Sequence, residues 1–497
     1  MAEHGDSDDL SLRFSLTLPG SASLGAYQAG AMSAFAATVV SLREQGHDVH
    51  VDAVGGSSAG SIVATLGVHC LATGRDATNM LRQAWVEDVD IDVLRATGSD
   101  APLHVDDLRD DLVEFLGDTD KHPLRVHEPL DSDVVLEVGL TSLRGLRRDT
   151  EIDGREISTL DYADWTRHVV PTGGDHTDIT EARPPSQLSV LDSILASASH
   201  PIAFTPQVLD RSDDEEFGDR DATDSIERQS LWYTDGGLVE SEPVGRIVRA
   251  ARTAHDGSGR RIHLVIDPRA SGPSGDAEWS DPDDPKSWLD GLRRAISIVP
   301  TQALHDDLRE VAAVNTGLGR LDEAVDWCRQ EFGLDADRIP DVRDRLAYIA
   351  DLGGKERVHL ELITPLVEVD NDSIGDGDGV NDMLAGDFAG AFGGFLSRRL
   401  RRSDYALGWR SFQGWVEKDG LAHHGVDADS VSIVLDALTD QRPVDVEDAI
   451  LDGPADGVAH LDLKGRLRLT ALAGRFARVA VAQATPSPPR PLDGDDT

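Results

Sequence analysis

Gly56-Ser57-Ser58-Ala59-Gly60 sets a serine among small residues, immediately before the apolar run Ile62-Val63-Ala64-Thr65-Leu66. A hydroxyl on a sharp strand-to-helix turn is lifted above the sheet edge, and the N-terminus of the following helix favours developing negative charge. Ser58 is therefore a candidate nucleophile, with Gly56 and Gly60 leaving room for the tight backbone. Such a serine needs donors for the oxyanion it creates. The turn Gly20-Ser21-Ala22-Ser23-Leu24-Gly25 offers backbone N–H groups, and it contains neither Gly-Lys-Ser/Thr nor the dinucleotide-binding glycine spacing, which disfavours phosphate binding. The third requirement is a base. Asp-Gly pairs along this chain mostly mark turns, but Asp235 ends the apolar stretch Leu231-Trp232-Tyr233-Thr234 and is followed by Gly236 and Gly237, which permit close approach to another backbone.

These residues need elements to position them. Leu10, Leu12, Phe14, Leu16 and Leu18 alternate with polar residues, which predicts a strand ending at Pro19-Gly20. An alanine-rich helix follows from about Ala26, its small residues suited to close packing on a sheet. "VHVDAVGG" predicts a second strand, and "SIVATLGVHCLATG" a helix with Gly74 as its C-cap. Further strands are expected at 133–143, at "SLWYTDGG", at 261–267 and at 357–369, with helices at 188–199, through most of 286–350 and over much of 380–482. Alternating strands and helices imply an α/β fold with a largely parallel sheet, whose sites lie beyond the carboxyl ends of the strands. The polar stretches 144–187 and 208–229 are expected to be solvated loops or lids, and the tail 484–497 to be disordered.

Composition narrows the partners. The chain has 497 residues, 91 acidic against 47 basic, for a formal net charge of -44 at pH 7. Nucleic acid is excluded as an expected partner. Only five lysines occur (Lys121, Lys286, Lys355, Lys418 and Lys464), so nearly all the positive charge is arginine. A surface of this kind repels itself in dilute buffer and is screened in about molar salt, where the Debye length is roughly 3 Å, so adaptation to a salt-loaded cytoplasm is expected. Cys70 and Cys328 lie far apart and are expected to be buried thiols, not a disulfide or a zinc site. The acidic start "MAEHGDSDDL" does not read as a signal peptide, and no run reaches the ~18 apolar residues of a membrane span. No metal site is expected: "DNDSIGDGDGVND" (370–382) has Ile374 and Asn381 where an EF-hand needs oxygen ligands and a glutamate, and reads as an acidic loop.

The three motifs, in this order, resemble the patatin-like phospholipases: a glycine-rich oxyanion loop after the first strand, a Gly-x-Ser-x-Gly elbow and a downstream Asp-Gly-Gly. "LASASHPIAFTP" (195–206) is similar to the family's Ala-Ser-x-x-x-Pro segment, and 386–415 is similar to the C-terminal part of some bacterial patatin-like proteins. The resemblance implies a three-layer α/β/α domain over 10–250, a mainly helical C-terminal region over 251–483, and hydrolysis of lipid acyl esters. Ser58 and Asp235 would form its dyad, Gly20, Ser21 and Ala22 its oxyanion hole, and Gly25, Gly56, Gly60, Gly236 and Gly237 its motif glycines. No cofactor is implied; the partners are a lipid or acyl ester and, transiently, a membrane surface. Ser21 and Ala22 replace glycines common in that loop, and Leu24 stands where a basic residue is common. Two alternatives remain at this point: a Ser-Asp-His esterase using His423 or His424, and a catalytically silent module that binds lipid or protein.

Overall fold

The computed structural model describes residues 11–94, 101–118, 125–214, 217, 230–240, 243–254, 259–268, 288–333, 335–365, 384–388, 391–443, 450, 458 and 460–484. The acidic loop 370–382, nearly all of the tail and much of 208–229 lie outside them.

Eight strands form one sheet: β1 (Leu12–Leu18), β2 (Val49–Gly56), β3 (Val134–Ile152), β4 (Arg155–Val170), β5 (Gln207–Asp210), β6 (Ser230–Asp235), β7 (Arg260–Ile266) and β8 (His359–Ile363). β3-β2-β1-β7-β8 run parallel, and β4, β6 and β5 are added antiparallel. The six helices that matter most to the site are α1 (Gly25–Glu44), α2 (Ala59–Thr73), α3 (Val190–Ser197), α4 (Val244–Ala254), α5 (Trp288–Phe332) and α6 (Arg398–Glu417). Leu12, Phe14 and Leu16 pack with side chains of α1, α2, α3 and α6 on one face. On the other, Ala53 packs against Ile247, Ala250 and Ala251 of α4, and Val265 meets Val244 of α4 with Leu308 and Val311 of α5. The result is a three-layer α/β/α arrangement around a mostly parallel sheet, and that sheet continues through β7 and β8 into the C-terminal half.

Alternation in β1 would suit a half-exposed strand, yet every residue of it is buried. Its polar side is satisfied internally. Arg13 donates to both oxygens of Asp52, at 2.9 Å and 2.9 Å. The His263 ring nitrogens sit 2.8 Å from Ser15 Oγ and 3.0 Å from Thr17 Oγ1, and burial lowers that imidazole to about 3. The small residues of α1 serve a different contact from the one expected: a side chain at Gly30 would lie 2.0 Å from Tyr405 O, and one at Gly408 would lie 1.9 Å from Tyr27 O, so α1 and α6 touch backbone to backbone. Gly74 caps α2 in the left-handed region, at φ 79°.

Two expectations need correction. Residues 144–187 are not simply a loop: β3 and β4 extend into a long antiparallel hairpin closed at Asp153-Gly154, with φ of 52° and 71° as a two-residue turn of the type I′ kind requires. The hairpin end is exposed, so it has no apolar face for a period-two pattern to reveal. Cys70 is buried, and burial pushes its thiol well up, but Cys328 on α5 is only half-buried. Among the described residues no helix is long and apolar enough to cross a membrane, and no cluster of three His, Cys, Asp or Glu side chains is placed to hold a metal ion.

Candidate active site

Ser58 follows the carboxyl end of β2 and precedes the first residue of α2, with φ 51° and ψ -130°. A non-glycine residue keeps such a backbone only when its surroundings over-determine it. Those surroundings are specific. Ser58 N–H donates to Ser197 Oγ at 2.8 Å, and the Ser197 hydroxyl donates onward to Gly139 O at 2.6 Å. Ser57 N–H donates to Leu18 O at 3.2 Å. Gly60 admits the end of β1, since a side chain there would fall 2.2 Å from Leu18 O; Gly56 faces the same carbonyl.

Asp235 comes from the opposite direction, at the end of β6. β4 holds one edge of β3 over residues 134–141, so β2 (against 135–138) and β6 (against 140–142) share the other edge end to end. Gly139 is the joint between them. A side chain at Gly236 would lie 2.0 Å from Gly139 O, so glycine there lets Asp235 reach its place. The Ser58 hydroxyl donates to Asp235 Oδ2 at 2.6 Å, while Oδ1 accepts Gly237 N–H at 2.8 Å. Asp235 N–H donates to Ser199 O at 3.1 Å, and Thr141 Oγ1 donates to Asp235 O at 2.8 Å. The C-terminal end of α3 therefore touches both partners, through Ser197 and the carbonyl of Ser199. Ser58 is 7% exposed and Asp235 3%, so the pair is held out of bulk water.

Gly20, Ser21 and Ala22 follow β1 on the same sheet edge. Ser23 N–H donates to Ala391 O at 2.9 Å and Leu24 N–H to Ser21 O at 3.0 Å. The Ser21 hydroxyl donates to Gln28 Oε1 at 2.7 Å, and Gln28 Nε2 donates back to Pro19 O at 2.8 Å. Ala22, which stands where glycine is common in such loops, has φ 47°. Gly25 opens α1 beneath Trp85, whose ring leaves no space for a side chain. Leu24 is fully buried in the main core.

Neither histidine of the triad alternative reaches Ser58. His424 Nε2 pairs with Glu361 at 2.9 Å, its ring stacks edge-on against His359, and His423 O accepts a bond from Arg260. His359 and Arg260 begin β8 and β7, which places both histidines at the edge of the sheet opposite Ser58. A cavity of about 430 Å³ lined by Thr73, Arg125, Gly173 and Asp175 includes neither member of the pair. Sequence reasoning passed over Ser197 as an individual residue, although it lies in the quoted "LASASHPIAFTP"; Gly139 carried no signal, because its constraint is set by residues far away in the chain.

The chain is 30% identical over 152 residues to the uncharacterized membrane protein Rv3479 of Mycobacterium tuberculosis, a match covering 28% of this chain and 14% of that one. It thus spans only about 14% of the length of that curated relative. The crystal structure of VipD from Legionella pneumophila aligns over 96% of this chain and 93% of its own, at 11% identity and a TM-score of 0.21, a likeness too slight to argue from. Residues 16–247 match the family described as patatin-like phospholipase. That interval holds the loop, the elbow and the aspartate in the order read from the sequence, and this part of the chain belongs to the patatin-like phospholipase family.

Proposed function

We propose that the chain is a lipid acyl hydrolase that cleaves carboxylic esters through Ser58 and Asp235. The observation that carries this reading is the 2.6 Å bond from the Ser58 hydroxyl to Asp235 Oδ2 at a backbone-constrained elbow. As Ser58 Oγ attacks the ester carbonyl, its proton passes to Asp235; the carbonyl π pair moves to oxygen, and the oxyanion takes hydrogen bonds from the loop amides of residues 20–22. Collapse of the intermediate breaks the acyl C–O bond, and Asp235 returns the proton to the leaving alcohol. Water then repeats the sequence on the acyl-serine, with Asp235 as its base. The bond from Gly237 N–H to Oδ1 leaves Oδ2 to handle the proton. The net charge of -44 supports a salt-loaded cytoplasm as the setting, with contact at membrane surfaces transient.

Labelling with a fluorophosphonate in about molar salt tests the reading. An adduct on Ser58, lost in Ser58→Ala, is expected. Folded wild-type protein that stays unlabelled and hydrolyses no ester would overturn it in favour of a binding module.

A further inference from the structure

Ser23 lies next to Ala22 and is fully buried. Its N–H and its hydroxyl both donate to Ala391 O, at 2.9 Å and 2.6 Å. The hydroxyl oxygen also accepts Gly394 N–H at 2.9 Å. Gly394 O in turn accepts Arg401 Nη1 at 3.1 Å, and the same guanidinium reaches Val86 O through Nε at 3.3 Å and Nη2 at 2.9 Å. Arg401 is 1% exposed. A side chain at Gly394 would lie 2.7 Å from Ser23 Oγ, so the two segments meet with no room between them. Ala391, Gly394 and Arg401 all fall outside the family-matched interval 16–247. Arg401 stands on α6, which is locked to α1 at the contacts of Gly30 and Gly408.

We infer that residues 391–401 are a positioning device for the loop of residues 20–22, with the Ser23 hydroxyl as the joint. Ala22 holds φ 47° without being glycine, a backbone that persists only where both flanks are fixed. One flank is fixed by the Ser21–Gln28 bond. The other is fixed by Ser23 on Ala391 and Gly394, and Arg401 orients the Gly394 peptide. Oxyanion donors act only when preorganised to within fractions of an ångström, so a loop released on one side loses rate while ground-state binding persists. The C-terminal region thereby acquires a part in catalysis through the loop it holds. The inference rests on the Ser58–Asp235 reading.

The test compares wild type, Ser23→Ala, Arg401→Met and Arg401→Lys as full chains in high salt, on a soluble p-nitrophenyl ester and with a fluorophosphonate. Ser23→Ala removes two hydrogen bonds and leaves the dyad and the three loop amides chemically intact. The expected result is a kcat lower by about 10- to 100-fold, with KM within about twofold and the pH–rate profile unmoved. The second-order labelling rate should fall in parallel. Arg401→Met should show the same kcat-specific loss, and Arg401→Lys should recover part of it. If Ser23→Ala keeps wild-type kcat and labelling rate, the inference is overturned while the dyad stands. Activity that falls only in proportion to the folded fraction overturns it too. Wild type that neither labels nor turns over removes the dyad reading, and this inference with it.

Discussion

At the elbow, Ser58 N–H is held by Ser197, Ser58 O by Ser61, and Asp235 by Thr141, Ser199 and Gly237, whereas the loop of residues 20–24 is held by Gln28 on one flank and by residues 391 and 394 on the other. Both segments sit at the carboxyl edge of the same sheet. One is supported from within the family-matched interval; the other depends on chain that arrives more than 360 residues later, since Ser23 and Ala391 are 368 apart. The difference teaches that, on the proposed reading, proton transfer and charge stabilisation rest on separate supports. The first draws on β1, β2, β3, β6, α2 and α3, and the second also draws on the contact of α6 with α1.

The contrast can be broken most severely at the proton-transfer step. Ser58→Ala and Asp235→Asn should each lower kcat for ester hydrolysis by about 10²- to 10⁴-fold or more, with circular dichroism and Tm near wild type. A next, smaller effect belongs to the elbow's support. Ser197→Ala deprives the buried Ser58 N–H of its acceptor and Gly139 O of its donor, at a cost of about 1–3 kcal/mol in chemical denaturation, and kcat should drop with it. Pairing Ser197→Ala with Ser23→Ala measures independence directly: separate supports should give activation penalties that add to within about 0.5 kcal/mol. A larger coupling energy would mean that the two segments share one frame.

The loop's frame is reached at Gly408. Gly408→Ala drives a methyl into Tyr27 O and should destabilise the α1–α6 contact by about 1–3 kcal/mol, with kcat and the fluorophosphonate labelling rate falling together. The last effect is set by pH. His168 supports α3 through Ser193 Oγ at 3.0 Å, and burial lowers it to about 3. The unfolded imidazole titrates near 6.5, so the unfolded chain binds more protons between those values. Its stabilising contribution is full above about pH 6.5 and falls as pH drops, by up to about 1.4 kcal/mol per unit toward pH 3. Denaturation curves at pH 7.5 and about 5.5 in constant salt should show the loss, and His168→Gln should reduce it.

Legibility in the sequence followed how local each constraint was. The placing of Ser58 between a strand and a helix could be read from its Gly-x-Ser-x-Gly setting, and that of Asp235 from the apolar strand it closes before two glycines. Alternation revealed β1 because its odd positions are polar even where buried; Arg13, Ser15 and Thr17 find Asp52 and His263 instead of water. The hairpin escaped notice because most of its far end faces solvent on both sides. Ser23, Ala391 and Gly394 escaped for a different reason: a serine in a small-residue turn looks the same whether or not a distant carbonyl meets it.

β3 carries one more consequence. With β2 and β6 laid end to end along one of its edges, the spacing between Ser58 and Asp235 is measured off by the residues from Val138 to Leu140. β3 is in this sense a ruler. A residue added between those marks would carry Asp235 about 3.3 Å along the strand and turn it to the other face, whereas a residue added near Asp153 would only lengthen the hairpin. Length variation in this strand is therefore tolerable at its far end and ruinous at its middle.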